Sequence, residues 1–270
     1  MPGSGALFQP MFSDEEVERY ARQLVLRELG GAGQQRLKQA RVLVVGAGGL
    51  GAPAALYLAA AGVGVLGLVD DDAVALSNLH RQVLYRPADV GAPKVEAAAA
   101  RLAELNPHTI CELHRLRLDA VSAADLVPGY DLVLDGTDDF VTRFAVNAAC
   151  VVAGKPLVSG AVARWSGQVG VFRGRPCYRC LVPESPPEAE TCAAVGVVGA
   201  LTGVIGSMMA MEAVKLIVRA GEPLLGRLMI YDGLSGAAHV ARLVADPACP
   251  VCGPDRESGG GPARAVEGAA

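Results

Sequence analysis

Hydrophobic positions along the chain fall into short unbroken apolar runs separated by longer alanine-rich stretches. Four of the runs have the length and the valine content of buried strands: RVLVVGA (41–47), GVLGLVD (64–70), DLVLDGT (131–137) and PLVSGAV (156–162). Strands that are apolar on both faces are typical of a parallel sheet covered by helices on each side. The pattern predicts an α/β fold with a Rossmann-like, doubly wound and mostly parallel sheet, which binds its ligand at the carboxyl ends of the strands.

Segments with helical composition lie between these runs. An apolar, alanine-rich segment begins at Leu50, and PKVEAAAARLAEL (93–105) has a proline at its first turn. Nearer the N-terminus, Ser13 and Glu16 have the spacing of a capping box, which predicts a helix from residue 13. This helix is expected to carry three arginines, Arg19, Arg22 and Arg27. Strands and helices therefore alternate in βαβ order.

Beyond residue 166 the elements become shorter, and two late strands are predicted at LMIYDG and AHVARLV. The segment AAVGVVGALTGVIGSMMAM (193–211) carries no charge and approaches the ~20 residues of a membrane span. Its four glycines, and the charges of Glu212 and Lys215 just after it, favour a buried segment that leads into a core helix. We therefore expect no membrane association.

These elements are expected to form one domain over residues 13–253. The βαβ alternation occupies about 40–165, and the late strands occupy about 166–253. The proline- and glutamate-rich segment 183–190 is predicted to be a mobile loop. The two ends of the chain have the composition of disordered segments, 1–12 and 254–270.

Charge and cysteine content narrow the class of protein. A net charge of −4 and a pI near 5.6 provide no basic surface for a phosphate backbone, so nucleic acid is not an expected partner. Seven cysteines, without an apolar segment behind a basic N-terminus, argue against a secreted disulfide framework. The expected location is the reduced cytoplasm.

The segment GAGGLG, residues 46–51, matches the GxGxxG pattern directly after a predicted strand and before a predicted helix. Backbone N–H groups and the helix dipole can bind phosphate there, and Asp70 ends the next strand, where a carboxylate can accept hydrogen bonds from a ribose. Nucleotide binding is therefore predicted for the half at 40–165, and the motif by itself fits NAD as well as ATP. The candidate residues are Gly46, Gly48, Gly49, Gly51 and Asp70.

Polar segments after this loop favour a triphosphate. SNLHRQ (77–82), Lys94 and DGTDD (135–139) lie at one predicted sheet edge, and a triphosphate needs added cations and a carboxylate for Mg²⁺. Taken singly, Arg81 suits a surface ion pair, Lys94 a solvated first-turn lysine and Asp138 a helix cap. Their joint placement favours ATP with Mg²⁺. The candidates are Ser77, Asn78, Leu79, His80, Arg81, Lys94, Asp138 and Asp139.

Four of the seven cysteines form two CxxC pairs, Cys177 with Cys180 and Cys249 with Cys252. Two such pairs suit tetrahedral thiolate coordination of Zn²⁺, which would staple the late segment to the sheet and leave no open coordination position. Free thiols in unrelated turns, or a thioredoxin-like redox pair, are the alternatives. Of the other three cysteines, Cys111 and Cys150 have apolar surroundings typical of core residues.

The motifs occur in the order RYARQ, GAGGLG, DDD, SNLHRQ, GAPK, DGTDD, CYRC, TC and CPVCG. This order resembles the MoeB/ThiF/HesA family and the adenylation domain of ubiquitin-activating enzymes over nearly the whole chain. The resemblance implies that Gly49 and Asp70 bind the adenosine part of ATP, and that Asn78, Arg81 and Lys94 contact the phosphates. It implies that Asp138 holds Mg²⁺ or directs the carboxylate reaction. Two positions depart from the family pattern, Asp71 within D-x-D and Asp139 in place of asparagine.

The activity implied by the resemblance is an adenylyltransferase. It would adenylate the C-terminal glycine carboxylate of a ubiquitin-like sulfur-carrier protein ending in Gly-Gly, giving an acyl-adenylate and pyrophosphate. The carrier would serve molybdopterin cofactor biosynthesis or, as a ThiS-like protein, thiamine biosynthesis. An NAD-dependent oxidoreductase would leave SNLHRQ and DGTDD unexplained, and a silent scaffold for a ubiquitin-like partner would not need the full set of charged residues.

Two further residues have candidate roles by resemblance. Arg22, within RYARQ, would act in trans on the ATP of the other subunit of a homodimer, whereas an isolated arginine would simply be solvated. Cys192 lies where some relatives carry a cysteine that links covalently to the carrier or to a sulfur donor. The nearby Glu188 and Glu190 would raise the pKa of its thiol, which argues against high reactivity.

Overall fold

The computed structural model describes residues 12–185 and 195–254. Eight strands form one mixed sheet: β1 Arg41–Val45, β2 Val65–Val69, β3 Ile110–His114, β4 Leu132–Asp135, β5 Leu157–Ala163, β6 Ser166–Phe172, β7 Arg227–Asp232 and β8 Ala237–Arg242. Their order is β3-β2-β1-β4-β5-β6-β7-β8, parallel from β3 to β5 and antiparallel from β5 to β8. The predicted Rossmann-like fold is confirmed, and the late strands extend the same sheet.

Helices cover both faces of this sheet. They are α1 Asp14–Arg19, α2 Ala21–Leu24, α3 Gly30–Gln39, α4 Gly51–Ala60, α5 Lys94–Leu105, α6 Ala120–Leu126, α7 Phe140–Ala153, α8 Tyr178–Leu181 and α9 Gly199–Val218, with short 3₁₀ turns at Leu76–Asn78, Pro87–Asp89 and Val127–Gly129. Successive residues of β1 enter opposite cores: Val42 and Val44 pack beneath α4 and α9, and Leu43 and Val45 pack beneath α6 and α7. Burial on both faces explains the unbroken apolar runs.

The N-terminal helix differs from the prediction in its extent. Its start is confirmed, because Ser13 and Glu16 form the capping box. The single helix expected to carry three arginines is wrong: α1 ends after Arg19, Arg22 lies in the separate α2, and Arg27 lies in a turn beyond both. The break falls at Tyr20, a core residue that is 3% exposed and whose hydroxyl accepts a hydrogen bond from Asn106 at 2.8 Å. Burial of this side chain redirects the backbone.

Helix α9 contains residues 199–211, the larger part of the uncharged segment that has nearly the length of a membrane span. In the part of the chain that the structure describes, it is the one helix long and apolar enough to cross a membrane, and half of its most apolar window is buried. Leu201, Ile205 and Met209 pack in the core. A Cβ at Gly206 would lie 2.5 Å from the carbonyl oxygen of Leu50, so this glycine permits close contact with the start of α4. Packing within the fold accounts for the helix's composition.

Candidate functional site

A cavity of about 410 Å³ lies at the carboxyl ends of the parallel strands. The strand order places β1 between β2 and β4, so the connections after β1 and β4 turn to opposite faces and open a crevice there. The glycine loop, the loop after β2 and the loop after β4 line the cavity. The switch point of the sheet therefore holds the polar segments that were singled out in the sequence.

The glycine loop has its conformation because of two of its glycines. Gly46 has φ +84°, in the left-handed region that favours glycine, and a Cβ at Gly51 would lie 1.8 Å from the carbonyl oxygen of Gly46. Gly48 and Gly49 line the cavity. Helix α4 begins at Gly51, so its N-terminal dipole lies beside the cavity and favours an anion there.

Asp70 and Lys94 form a buried pair at the end of β2. One oxygen of Asp70 accepts the N–H of Ala47 at 2.8 Å and the other accepts the N–H of Asp72 at 2.9 Å. The Lys94 Nζ lies 2.7 Å from Asp72 and 3.6 Å from Asp70, and its side chain is 5% exposed. Burial raises the pKa of the Asp70 carboxyl, although Lys94 opposes the shift. Lys94 is therefore not a solvated first-turn lysine.

The segment SNLHRQ contributes Asn78 and Arg81 to the cavity wall. The Asn78 side-chain oxygen accepts a hydrogen bond from Arg81 at 2.9 Å, and Arg81 also donates to the carbonyl oxygen of Ser77 at 3.2 Å. A ring nitrogen of His80 lies 2.9 Å from the same guanidinium. Among the described residues, Ser77, Leu79 and His80 support this loop without lining the cavity.

The loop after β4 separates the roles of two neighbouring aspartates. Asp139 caps α7, accepting the N–H groups of Val141 and Thr142 and the Thr142 hydroxyl. Burial tends to raise the pKa of the Asp139 carboxyl, but these hydrogen bonds, led by those of Thr142, lower it overall. Asp138 is exposed at the cavity. The helix-cap role considered for Asp138 belongs to Asp139, which leaves the Asp138 carboxylate at the cavity.

Several residues of the cavity wall were not among the predicted candidates, including Gln82, Arg117 and Arg143. Gln82 is 4% exposed, and its side-chain oxygen has no hydrogen-bond partner in the described part of the chain. Its position as the last residue of SNLHRQ was the available signal. Arg117 reaches the cavity from the loop after β3 and pairs with Asp71 at 3.3 Å. Arg143 lies in the wall, 3.4 Å from Asp135. No motif marked either arginine.

The four cysteines of the CxxC pairs converge where the start of α8 meets the segment after β8. Their sulfur atoms all lie within 4.8 Å of one another, with Cys177 and Cys249 at 3.7 Å and Cys180 and Cys252 at 3.4 Å. Sulfur ligands ~2.3 Å from a tetrahedral zinc lie about 3.8 Å apart, whereas a disulfide needs about 2.05 Å. Asn147 donates to the Cys177 sulfur at 3.6 Å. The donor set fits a thiolate metal site.

Two other candidates lie elsewhere. Arg22 is exposed on α2 and does not line the cavity, within the ranges that the structure describes. On either side of it, Tyr20 is buried and Gln23 donates to the carbonyl oxygen of Ala61 at 3.2 Å, so α2 is anchored to the end of α4. Cys192 lies outside the described residues, as does most of the loop expected at 183–190.

Comparison with protein-family models matches residues 20–251 to the ThiF family. The sulfur carrier protein adenylyltransferase of Thermus thermophilus is 48% identical over 90% of this chain and 93% of its own length. The molybdopterin-synthase adenylyltransferase of Salmonella typhimurium is 48% identical over 89% of this chain and 98% of its own length. The probable adenylyltransferase/sulfurtransferase MoeZ of Mycobacterium tuberculosis is 50% identical over 88% of this chain, which spans 63% of that longer protein.

Solved structures show the same fold. The crystal structure of Escherichia coli MccB with ATP has a TM-score of 0.76 and 25% sequence identity, and the match covers 87% of this chain and 74% of that one.

Proposed function

Because the chain belongs to the ThiF family, we propose that it is an ATP-dependent adenylyltransferase acting on a sulfur-carrier protein for molybdenum cofactor biosynthesis. The observation that carries this proposal is the set of charged groups around one cavity above the glycine loop, namely Lys94, Arg81 and Asp138. An NAD-dependent oxidoreductase would leave the joint placement of Lys94, Arg81 and Asp138 around one cavity unexplained. The relatives named above are adenylyltransferases.

In the proposed reaction, a carboxylate oxygen of the carrier's C-terminal glycine attacks the α-phosphorus of ATP. The bond from that phosphorus to the bridging oxygen breaks, which gives an acyl-adenylate and pyrophosphate. We expect Asp70 to accept hydrogen bonds from the ribose, while Lys94 and Arg81 oppose the negative charge of the phosphates. Because no proton must be removed from a carboxylate nucleophile, positioning and electrostatic stabilisation supply the catalysis.

The family implies Mg²⁺ with the ATP, and Asp138 suits this ion because its exposed carboxylate lines the cavity and does not cap a helix. Bound Mg²⁺ would neutralise charge on the phosphate oxygens. Gln82 would meet the nucleotide with its unpartnered amide oxygen, or through a bridging water.

ATP–pyrophosphate exchange with a carrier ending in Gly-Gly tests the function. Lys94→Ala and Asp138→Ala should each lower the rate by about 10²-fold or more while the protein stays folded. A titration with NAD runs alongside. Near-normal exchange in both variants, or tight NAD binding without exchange, would contradict the proposal. Running the molybdopterin-synthase small subunit beside a ThiS-like carrier identifies the preferred substrate.

We also propose that the four cysteines bind one Zn²⁺ that staples the segment after β8 to the start of α8. Their mutual distances and the hydrogen bond from Asn147 support this assignment. Four thiolates would fill the coordination sphere, so the metal would be structural. The reduced cysteines suit a cytoplasmic location. Elemental analysis should give one zinc per chain, and freely titratable thiols at all four positions without zinc would exclude the site.

We propose that the Cys192 thiol serves in sulfur transfer. If it serves only a later sulfur-transfer step, Cys192→Ser should leave pyrophosphate exchange unchanged. Loss of exchange in that variant would instead assign the thiol to adenylation.

Finally, we propose a homodimer in which Arg22 acts on the ATP of the partner subunit. Arg22 is exposed outside its own cavity, and the apolar Val25 and Leu26 that follow it are 78% and 50% exposed. Such side chains suit contact with a second copy of the chain. Opposition of phosphate charge by an arginine supplied in trans would couple activity to assembly.

Subunit exchange tests this arrangement. Arg22→Ala and Asp138→Ala, each inactive alone, are mixed so that dimers re-form at random. Half of the dimers are mixed, and each of these has one site with both intact residues, so about a quarter of wild-type activity should return. If Arg22 acts within its own chain, no activity returns although mass measurement shows that subunits have exchanged.

A further inference from the structure

Arg143 is a buried cation in the cavity wall, and the reaction described above gives it no role. It lies in the first turn of α7, with 5% of its side chain exposed. One terminal nitrogen donates to the Ser159 hydroxyl at 3.0 Å, and the other donates to the carbonyl oxygens of Gly160, at 2.7 Å, and Thr137. Its acceptors therefore come from the loop after β4 and from the middle of β5.

Asp135 also takes part in the hydrogen-bond network around Arg143. One of its oxygens accepts the N–H and the hydroxyl of Thr137, at 3.1 and 2.8 Å, and the other accepts the Ser159 hydroxyl at 3.2 Å. A terminal nitrogen of Arg143 lies 3.4 Å from a carboxylate oxygen of Asp135, so the positive charge of the guanidinium is balanced by the negative charge of the carboxylate. Burial alone would lower the pKa of the Arg143 guanidinium, but Asp135, followed by Tyr178, raises it overall. The arginine stays charged.

A buried ion pair is a poor means of gaining stability, because both ions lose their hydration and an apolar pair of similar volume is often as stable. The geometry offers a better reason for this one. Arg143 binds the backbone of Thr137, the residue directly before Asp138, and ties it to β5. The terminal nitrogens donate to protein acceptors, so the side chain holds the loop and leaves contact with substrate to other residues.

We propose that Arg143 is a positioning residue of the adenylation site, which keeps the loop at 136–139 in place so that Asp138 stays directed to the cavity. The inference rests on the proposed function, because the aligned carboxylate matters for Mg²⁺ and for the reacting carboxylate. Asp138 is exposed and has no helix-cap role, so its position depends on the backbone that carries it. A displacement of about 1 Å can cost about 10²-fold in rate.

Arg143→Lys tests the inference, since one ammonium group keeps the charge but cannot replace the planar guanidinium that joins the loop after β4 to β5. At saturating ATP, the Mg²⁺ concentration for half-maximal exchange should rise about tenfold and kcat should fall about 10²-fold, with the KM for ATP within about threefold of wild type. Hydrogen exchange at the Thr137 amide should speed up about tenfold, while amides in β1 and β2 keep their protection.

Ser159→Ala is the milder variant, because it removes one acceptor and is expected to fold whether or not Arg143→Lys does. It should shift the Mg²⁺ dependence and the Thr137 exchange in the same direction by a smaller factor. Arg179→Lys is the matched control: that guanidinium packs over the Phe144 ring at 4.0 Å, outside the network, and its replacement should leave both readouts at wild-type values.

Wild-type Mg²⁺ dependence and wild-type Thr137 exchange in the folded variants would overturn the inference. Uniform loss of amide protection across the sheet would overturn it as well, because it would show a general structural role. Absence of carrier-dependent exchange in the wild-type protein would refute the proposed function instead, and the amide measurement would still decide whether Arg143 holds the loop.

Discussion

Replacement of Lys94 by alanine would separate the two tasks that its ammonium group is expected to perform. In the structure the group neutralises Asp70 and Asp72, and in the proposed reaction it opposes phosphate charge. The first task concerns stability and the second concerns rate. Comparing Lys94→Ala with the double variant Lys94→Ala/Asp70→Asn distinguishes them, since asparagine keeps an acceptor for the Ala47 N–H without the negative charge.

The stability loss can be bounded from the geometry. At 3.6 Å and an effective dielectric constant of ~20, the attraction between Lys94 and Asp70 is about 4.6 kcal/mol. Without the lysine, Asp70 can take up a proton, which from its ordinary pKa of 3.8 costs at most about 4.4 kcal/mol at pH 7. Because burial already raises the pKa of Asp70, the cost is smaller, and we expect a loss of about 3 kcal/mol.

Thermal and urea unfolding measure this loss. About 3 kcal/mol corresponds to a fall in Tm of ~6–12 °C in Lys94→Ala, and the double variant should recover most of it. Exchange activity should behave differently, falling about 10²- to 10³-fold in both variants, because neither retains the Lys94 ammonium group to oppose the phosphate charge. Lys155→Ala, which removes a lysine that does not line the cavity, is the matched control and should change neither quantity appreciably.

Recovery of exchange in the double variant would refute this reasoning. It would mean that Lys94 serves the site only by neutralising Asp70, and that another group opposes the phosphate charge. Unchanged stability in Lys94→Ala would refute the buried ion pair itself.

Three further predictions concern other parts of the chain. Gly51→Ala should weaken ATP binding at least about 100-fold in a titration, because the added Cβ would lie 1.8 Å from a carbonyl oxygen of the glycine loop, whereas Gly203→Ala, with open space around it, should bind normally. Burial tends to raise the pKa of the Glu16 carboxyl, but Lys38 and the capping box lower it overall, so its ionised form stabilises the fold above about pH 4.5. Glu16→Gln should therefore lose about 1.5 kcal/mol at pH 7, and the difference should disappear as the pH falls through the lowered pKa; a constant difference in urea unfolding would contradict this. Asn147→Ala removes the acceptor of the first backbone N–H of α8 and should lower the free energy of unfolding by about 2 kcal/mol, measured in urea; an unchanged value would show that water replaces the amide.

Much of the fold followed from local pattern. The unbroken apolar runs predicted β1, β2, β4 and β5 to within a few residues, because a strand buried on both faces must be apolar at every position. The capping box of Ser13 and Glu16 was predictable for a similar reason, since both of its hydrogen bonds join residues three positions apart. Motif order was enough to indicate the family, and through it the reaction.

Interactions between distant residues decided the rest. Tyr20 ends α1 because its hydroxyl meets Asn106, 86 positions away, which no local pattern contains. Lys94 has the sequence context of a solvated first-turn residue, yet the loop after β2 folds over it. Only the structure showed that Asp139 is the N-cap of α7 and that Asp138 does not cap the helix.

The Arg143 network and the cysteine cluster also depend on contacts between distant residues. Arg143 looked like any helix arginine, because its acceptors on β5 lie 16 and 17 positions away and become neighbours only when β4 and β5 pair. The cysteine pairs were visible as motifs, but Cys177 and Cys249 are 72 positions apart, and their convergence depends on β6 to β8 completing the sheet between them. Sequence pattern determined which residues are buried or can ligate, since that depends on side-chain chemistry. Tertiary structure decided which of them meet, because contact depends on strand pairing and helix packing over the whole chain.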